Sequence, residues 1–182
     1  MQKLLFVAMI SITIALIACN SDKKTETAAT TTETPVEKPN YAYTAEYSSS
    51  FEMGKPKYSE TVLKLWKDYD NGDFSSSLNL FADSVEMYFR DGSSMHNVRD
   101  SIVGGAQAFR NSFSKVESRV SAFFPVRATN KNEDWVCVWG TEISTTKQGK
   151  VDSVYLQEIW RFNKDGKVDF MSQYAQVAKP MK

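Results

Sequence analysis

The last third of the chain constrains the fold most. Four strand-like runs follow one another there, "RVSAFFPVRAT", "DWVCVWGTEIS", "DSVYLQEIWRF" and "KVDFMSQYAQV", separated only by "NKNE", "TKQGK" and "NKDG". Runs rich in Val, Ile, Phe, Tyr and Trp favour a pleated backbone, and short breaks carrying Asn, Lys and Gly read as hairpin turns. Strands joined by tight turns pair antiparallel. The chain from Arg119 onward is therefore expected to form a four-stranded meander, and its apolar face needs cover from elsewhere.

Cover is available upstream. "KYSETVLKLWKDYDNG" carries Tyr58, Val62, Leu65, Trp66 and Tyr69 at helical spacing, with Asn71-Gly72 as the stop. Asp73 can cap a second short helix with Phe74, Leu78 and Phe81 inward. "SVEMYFR" alternates as a strand, "DGSS" turns the chain, and Asp100 opens a third helix bearing Ile102, Ala106, Phe109 and Phe113. The order is helix, helix, strand, helix, then meander. Helices segregated from an antiparallel sheet define an α+β fold.

That order, with "LKLWKDYDNGDFSSSLNLFADSVEMYF" early and "EIWRFNKDGKV" late, resembles the nuclear transport factor 2-like superfamily, closest to its SnoaL-like and ketosteroid isomerase-like members. The resemblance spans about Lys57 to Val177. It implies a cone-shaped, curved antiparallel sheet wrapped around the N-terminal helices, with an apolar interior, and self-pairing of the domain into a homodimer. A fold shared by many functions names none of them. Carried over residue by residue, the isomerase base falls at Phe89 and its tyrosine at Leu65; only the acid position keeps a carboxyl, Glu158. Two of three functional groups are missing, so the isomerase chemistry does not transfer and the domain reads as a binder before an enzyme.

The N-terminus has a different character. A basic Lys3 precedes an apolar run from Leu4 to Ala18, too short for a membrane span and matching a secretory leader. It ends at "LIAC", which resembles the lipobox of bacterial lipoproteins and implies cleavage before Cys19 and lipid on its thiol. Residues 1–18 are then the signal peptide, 19–56 the lipidated Cys and a tether, and 57–178 the domain. "KKTETAATTTETPVEKP" is too polar to bury a core, so the tether is expected to be flexible, with "YAYTAEYSSSF" at its end able to add a strand. This reading places the protein in the bacterial envelope, with the membrane as a partner through Cys19. The other Cys, Cys137 in "WVCVW", has apolar neighbours and reads as a packed thiol. With 22 basic and 22 acidic residues and no basic stripe, nothing points to nucleic acid.

The candidate site rests on one awkward residue. Alternation in "VYLQEIWRF" puts Glu158 on the same face as Val154, Leu156, Trp160 and Phe162. A carboxyl there is raised in pKa by desolvation, and it acts as an acid or base, donates to a ligand carbonyl, or is tied to a Trp, Tyr or Arg within the core. His96, the only His, can serve with it in proton transfer. Trp66, Tyr69, Phe89 and Trp160 are the expected ligand contacts of the cone, for a small hydrophobic or carbonyl-bearing molecule. Gln173 and Arg161 fall on strand faces expected to point outward. No metal-ligand spacing is present, and Gly104-Gly105 lacks the setting of a phosphate loop, so neither metal nor cofactor is expected.

Overall fold

In a computed structural model, the structure describes residues 39–177, so the segment read as a signal peptide, Cys19 and most of the expected tether lie outside the described residues. The chain divides into one unit at Met1–Tyr41 and a second at Ala42–Lys182, and every element below belongs to the second. In chain order these are β1 (Phe51–Met53), α1 (Pro56–Asn71), β2 (Phe81–Tyr88), β3 (Ser94–Val98), α2 (Arg99–Arg110), β4 (Phe113–Ala128), β5 (Glu133–Thr146), β6 (Val151–Phe162) and β7 (Val168–Val177). They form one seven-stranded sheet in the order β1-β4-β5-β6-β7-β2-β3, with the helices packed on it.

The meander forms as the turns require, β4 to β7 pairing antiparallel in sequence. Helix α1 also stands where its stripe predicts: Tyr58, Val62, Leu65 and Trp66 are buried, and Gly72 ends it at φ 72°, a left-handed conformation that glycine adopts without penalty. Its buried face joins Val136 and Val138 of β5, Leu156, Trp160 and Phe162 of β6 and Met171 of β7 in one core. The sheet bends at Gly140. The register of β4 slips there between Val120 and Ala122, and a Cβ on Gly140 would stand 2.3 Å from the Arg119 carbonyl oxygen.

Four expectations need correction. The sheet is mixed, because β2 runs parallel to β7. A crossover through α2, rather than a hairpin, joins β2 to the meander, so no turn forces an antiparallel match. The short helix after Asp73 is mostly turn, with one 3-10 turn at Leu78–Leu80, and Phe81 already opens β2. Buried Asp68 accepts a hydrogen bond from the Ser77 hydroxyl and holds Lys64 at 2.5 Å, fixing this turn by side chains. Strand β3 was hidden because it is an edge strand with little burial and no alternation to read. The fold also begins before residue 57, with the strand that the end of "YAYTAEYSSSF" is expected to add: β1 pairs with β4 through Phe51 and Ala128.

Candidate functional site

Strand β6 sets the site. Leu156, Trp160 and Phe162 are buried, and Glu158 is buried among them with 4% of its surface exposed. The face is the one covered by α1, since the Trp66 indole N–H donates to Glu158 Oε2 at 2.6 Å. The Trp160 indole donates to the same oxygen at 3.0 Å, and the Gln173 amide donates to Oε1 at 2.7 Å. Among the described residues no cation contacts the carboxyl. Desolvation therefore holds its pKa above the usual carboxylate range, although each of the three donors works in the opposite direction. Glu158 is an acid tied down by neutral N–H groups.

These bonds decide the standing of the other candidates. Trp66 and Trp160 are buried with their N–H groups taken up by Glu158, so they form the wall behind the acid. Gln173 does not point outward as expected. It pairs with Glu158 across the β6–β7 ladder, and opposed residues in a ladder share a face. Its side-chain carbonyl has no partner among the described residues. Arg161 does point to the far side, where it bonds Asp169 at 2.9 Å and lies over the Trp135 and Phe170 rings. Phe89, half-buried, packs against the core and lines an open cleft of about 540 Å³ with Tyr88, Arg90, Ser172, Gln173 and Tyr174. Tyr69, also half-buried, meets Phe74 edge-on at 6.1 Å, and burial pushes its hydroxyl well above the ordinary tyrosine range.

His96 is not brought to Glu158. It lies in β3 opposite Glu86, exposed, whereas Val85 and Met87 carry the core face of β2. Its side chain thus stands on the other side of the sheet from Glu158. Cys137 is half-buried and, among the described residues, free, and desolvation raises its thiol pKa, as a packed cysteine requires.

One residue escaped the sequence reading. Glu142 of β5 is buried, with 7% of its surface exposed, and no side-chain hydrogen bond or ion pair reaches it among the described residues. The signal was present in "VCVWGTE", where alternation puts Glu142 on the face of Val136 and Val138. Desolvation raises its pKa first, with the Arg90 charge opposing and the Glu158 charge adding to the shift.

No family model matches the sequence, and no curated protein does. Solved structures match throughout the domain. A protein of Exiguobacterium sp. 255-15 described as nuclear transport factor 2-like aligns over 65% of this chain and 99% of its own, at 15% identity and a TM-score of 0.54. A Jannaschia sp. CCS1 protein assigned as a SnoaL-like polyketide cyclase aligns over 67% and 87%, at 14% identity and a TM-score of 0.55. One of Streptomyces avermitilis assigned as a dehydratase of the same family aligns over 68% and 96%, at 11% identity and a TM-score of 0.53. This chain has the nuclear transport factor 2-like fold. Within that fold the sheet is curved and open, not closed into a barrel, and Glu158 and Gln173 stand on its helix-covered side. Identities this low show the fold and leave the ligand to the site itself.

Proposed function

We propose that the protein is a lipid-anchored, small-molecule-binding domain of SnoaL-like type, whose cleft takes a compound with an apolar body and a carbonyl group. The observation that carries this reading is Gln173. One of its amide hydrogens is fixed on Glu158 at 2.7 Å, so the rest of the amide is held in the wall of the 540 Å³ cleft beside Phe89. A second amide N–H, aimed by a buried acid, suits a ligand carbonyl, and Phe89 and Tyr88 suit an apolar body. The neighbour assigned as a polyketide cyclase is consistent with a carbonyl-bearing ligand class. Catalysis by Glu158 with His96 has less support, since both oxygens of Glu158 are occupied and His96 faces away.

The test is titration of the full chain with acetophenone, followed by tryptophan fluorescence. Gln173→Ala should weaken binding by about five- to tenfold, the scale of one neutral hydrogen bond. Phe89→Ala should weaken it as well. Equal affinity in all three proteins would sink the reading. Anchoring rests on "LIAC" after an apolar run. Mass spectrometry of the mature protein should find lipid on Cys19 as the first residue, and Cys19→Ser should partition away from membranes.

Self-pairing through the face of the sheet away from α1 belongs to the same proposal. Trp139, Tyr155 and Tyr174 are exposed there at 38%, 47% and 63%, a large aromatic surface for a domain to leave in water. Light scattering should return twice the chain mass, and Trp139→Lys with Tyr174→Lys should return the single mass. A single mass before substitution would exclude the pairing.

A further inference from the structure

The cleft carries one charge that its carbonyl pole does not use. Strand β2 pairs with β7 as far as Tyr88 and Ser172, and there the two part. β7 runs on to Val177, while the chain after β2 turns through residues 89–93 into β3. The cleft lies in this fork, with the turn as one wall and residues 172–175 as the other. Arg90 belongs to the turn wall and Gln173 to the strand wall, and among the described residues Arg90 is the only charged residue lining the cleft. The turn itself is pinned. Asp91 accepts the N–H and hydroxyl of Ser93 at 2.9 and 2.6 Å, and the Phe89 N–H donates to the Ser93 carbonyl at 2.9 Å. Gly92 closes it at φ 85°. These bonds leave the guanidinium unclaimed. Asp91 is taken by Ser93 and Glu86 by the Tyr88 hydroxyl at 2.5 Å, and Arg90 forms no ion pair among the described residues. Glu142, whose carboxyl the Arg90 charge acts on, does not line the cleft and is not paired with it.

We propose that the cleft takes a small oxo acid, with its carboxylate on Arg90, its carbonyl on the Gln173 amide and its apolar body against Phe89. A guanidinium presents parallel N–H donors that match the two oxygens of a carboxylate. One guanidinium balances one negative charge, so a carboxylate fits the wall better than a phosphate dianion, which would bring a second charge with no cation to meet it. A cation is disfavoured outright, because the lining offers it no carboxylate and places Arg90 in its way. The cleft is open and Arg90 exposed, so the ion pair keeps part of its water and neither charge bears the full cost of burial. The two polar groups come from opposite walls of the fork, which suits a ligand whose carbonyl and carboxylate are separate groups.

This inference rests on the cleft reading above, and the experiment separates the two. The full chain is titrated by calorimetry at pH 7 with 3-benzoylpropionate, its methyl ester and acetophenone. The acid should bind about fivefold more tightly than the ester, the upper range for one exposed ion pair. Added salt should weaken the acid and leave the ester unchanged. Arg90→Gln should erase the acid preference while leaving ester and acetophenone affinities within about twofold. Arg90→Lys, which keeps the charge and loses the fork, should retain part of the preference. Arg90 is exposed, so both variants should unfold with wild type. An acid preference that survives in Arg90→Gln overturns the proposal. Binding of acetophenone and the ester with no preference for the acid leaves the cleft reading standing and removes this one. Binding by none of the three removes both.

Discussion

Replacing Glu158 by Gln asks whether the charge or merely the acceptor atoms of the acid hold the core together. In the structure Oε2 takes two indole N–H groups and Oε1 takes one amide N–H. A Gln at 158 keeps one carbonyl oxygen for the two tryptophans. Its new NH2 group faces the Gln173 amide, which must turn over to present its own carbonyl. Gln173 is half-buried at the cleft, so that rotation is open to it. Neutralising the acceptor weakens the hydrogen bonds by roughly 1 kcal/mol each, since bonds to charged groups contribute about 1.5–3 and neutral ones about 0.5–1.5 kcal/mol. Burying a carboxylate without a cation costs several kcal/mol. Because desolvation is the larger influence on Glu158 and raises its pKa, the variant should be the more stable protein at high pH, by on the order of 1 kcal/mol.

The sign of the pH effect follows. A carboxyl whose pKa is raised on folding contributes its stability below the unfolded value of 4.5, and loses it as pH rises through the folded value. Wild type and Glu158→Gln should therefore unfold together at pH 4, and wild type should fall behind at pH 8. Guanidinium unfolding followed by tryptophan emission measures both, because Trp66 and Trp160 report directly on the site. Glu158→Leu gives the contrast: two stranded indole N–H groups at about 1–3 kcal/mol each should cost about 2–6 kcal/mol at either pH. If Glu158→Gln loses several kcal/mol at both pH values, the charge itself is required and the reasoning fails.

Other perturbations have sharper local causes. Gly140→Ala puts a methyl 2.3 Å from the Arg119 carbonyl, and should cost about 1–3 kcal/mol in thermal unfolding. Arg110→Met withdraws three donors from the α1 terminus and the start of β4, bonds of 2.7, 3.2 and 2.9 Å, and should cost about 2–4 kcal/mol by denaturant unfolding. His96→Ala removes an exposed edge-strand side chain and should leave both stability and acetophenone affinity unchanged; a changed affinity would return His96 to the site.

Local sequence determined more of this protein than its low similarity to known proteins suggests. The spacing of Tyr58, Val62, Leu65 and Trp66 specified the buried face of α1, and Gly72 its end, because a helix repeats every 3.6 residues whatever it packs on. Alternation around Leu156, Glu158 and Trp160 placed the acid on the buried face, because side chains in a strand alternate strictly. What the sequence could not express was anything set by neighbours distant along the chain. The parallel match of β2 with β7 depends on a crossover, not a turn. The edge strand β3 buries too little to leave a pattern. Gln173 became part of the site only when the β6–β7 register put it opposite Glu158. Glu142 obeys the same alternation as Glu158, yet its isolation is a property of the packed interior alone. Periodicity fixes the face that a side chain occupies, while the partners available on that face are supplied by other strands and helices, and only their packing decides whether a buried acid is satisfied or left without a partner.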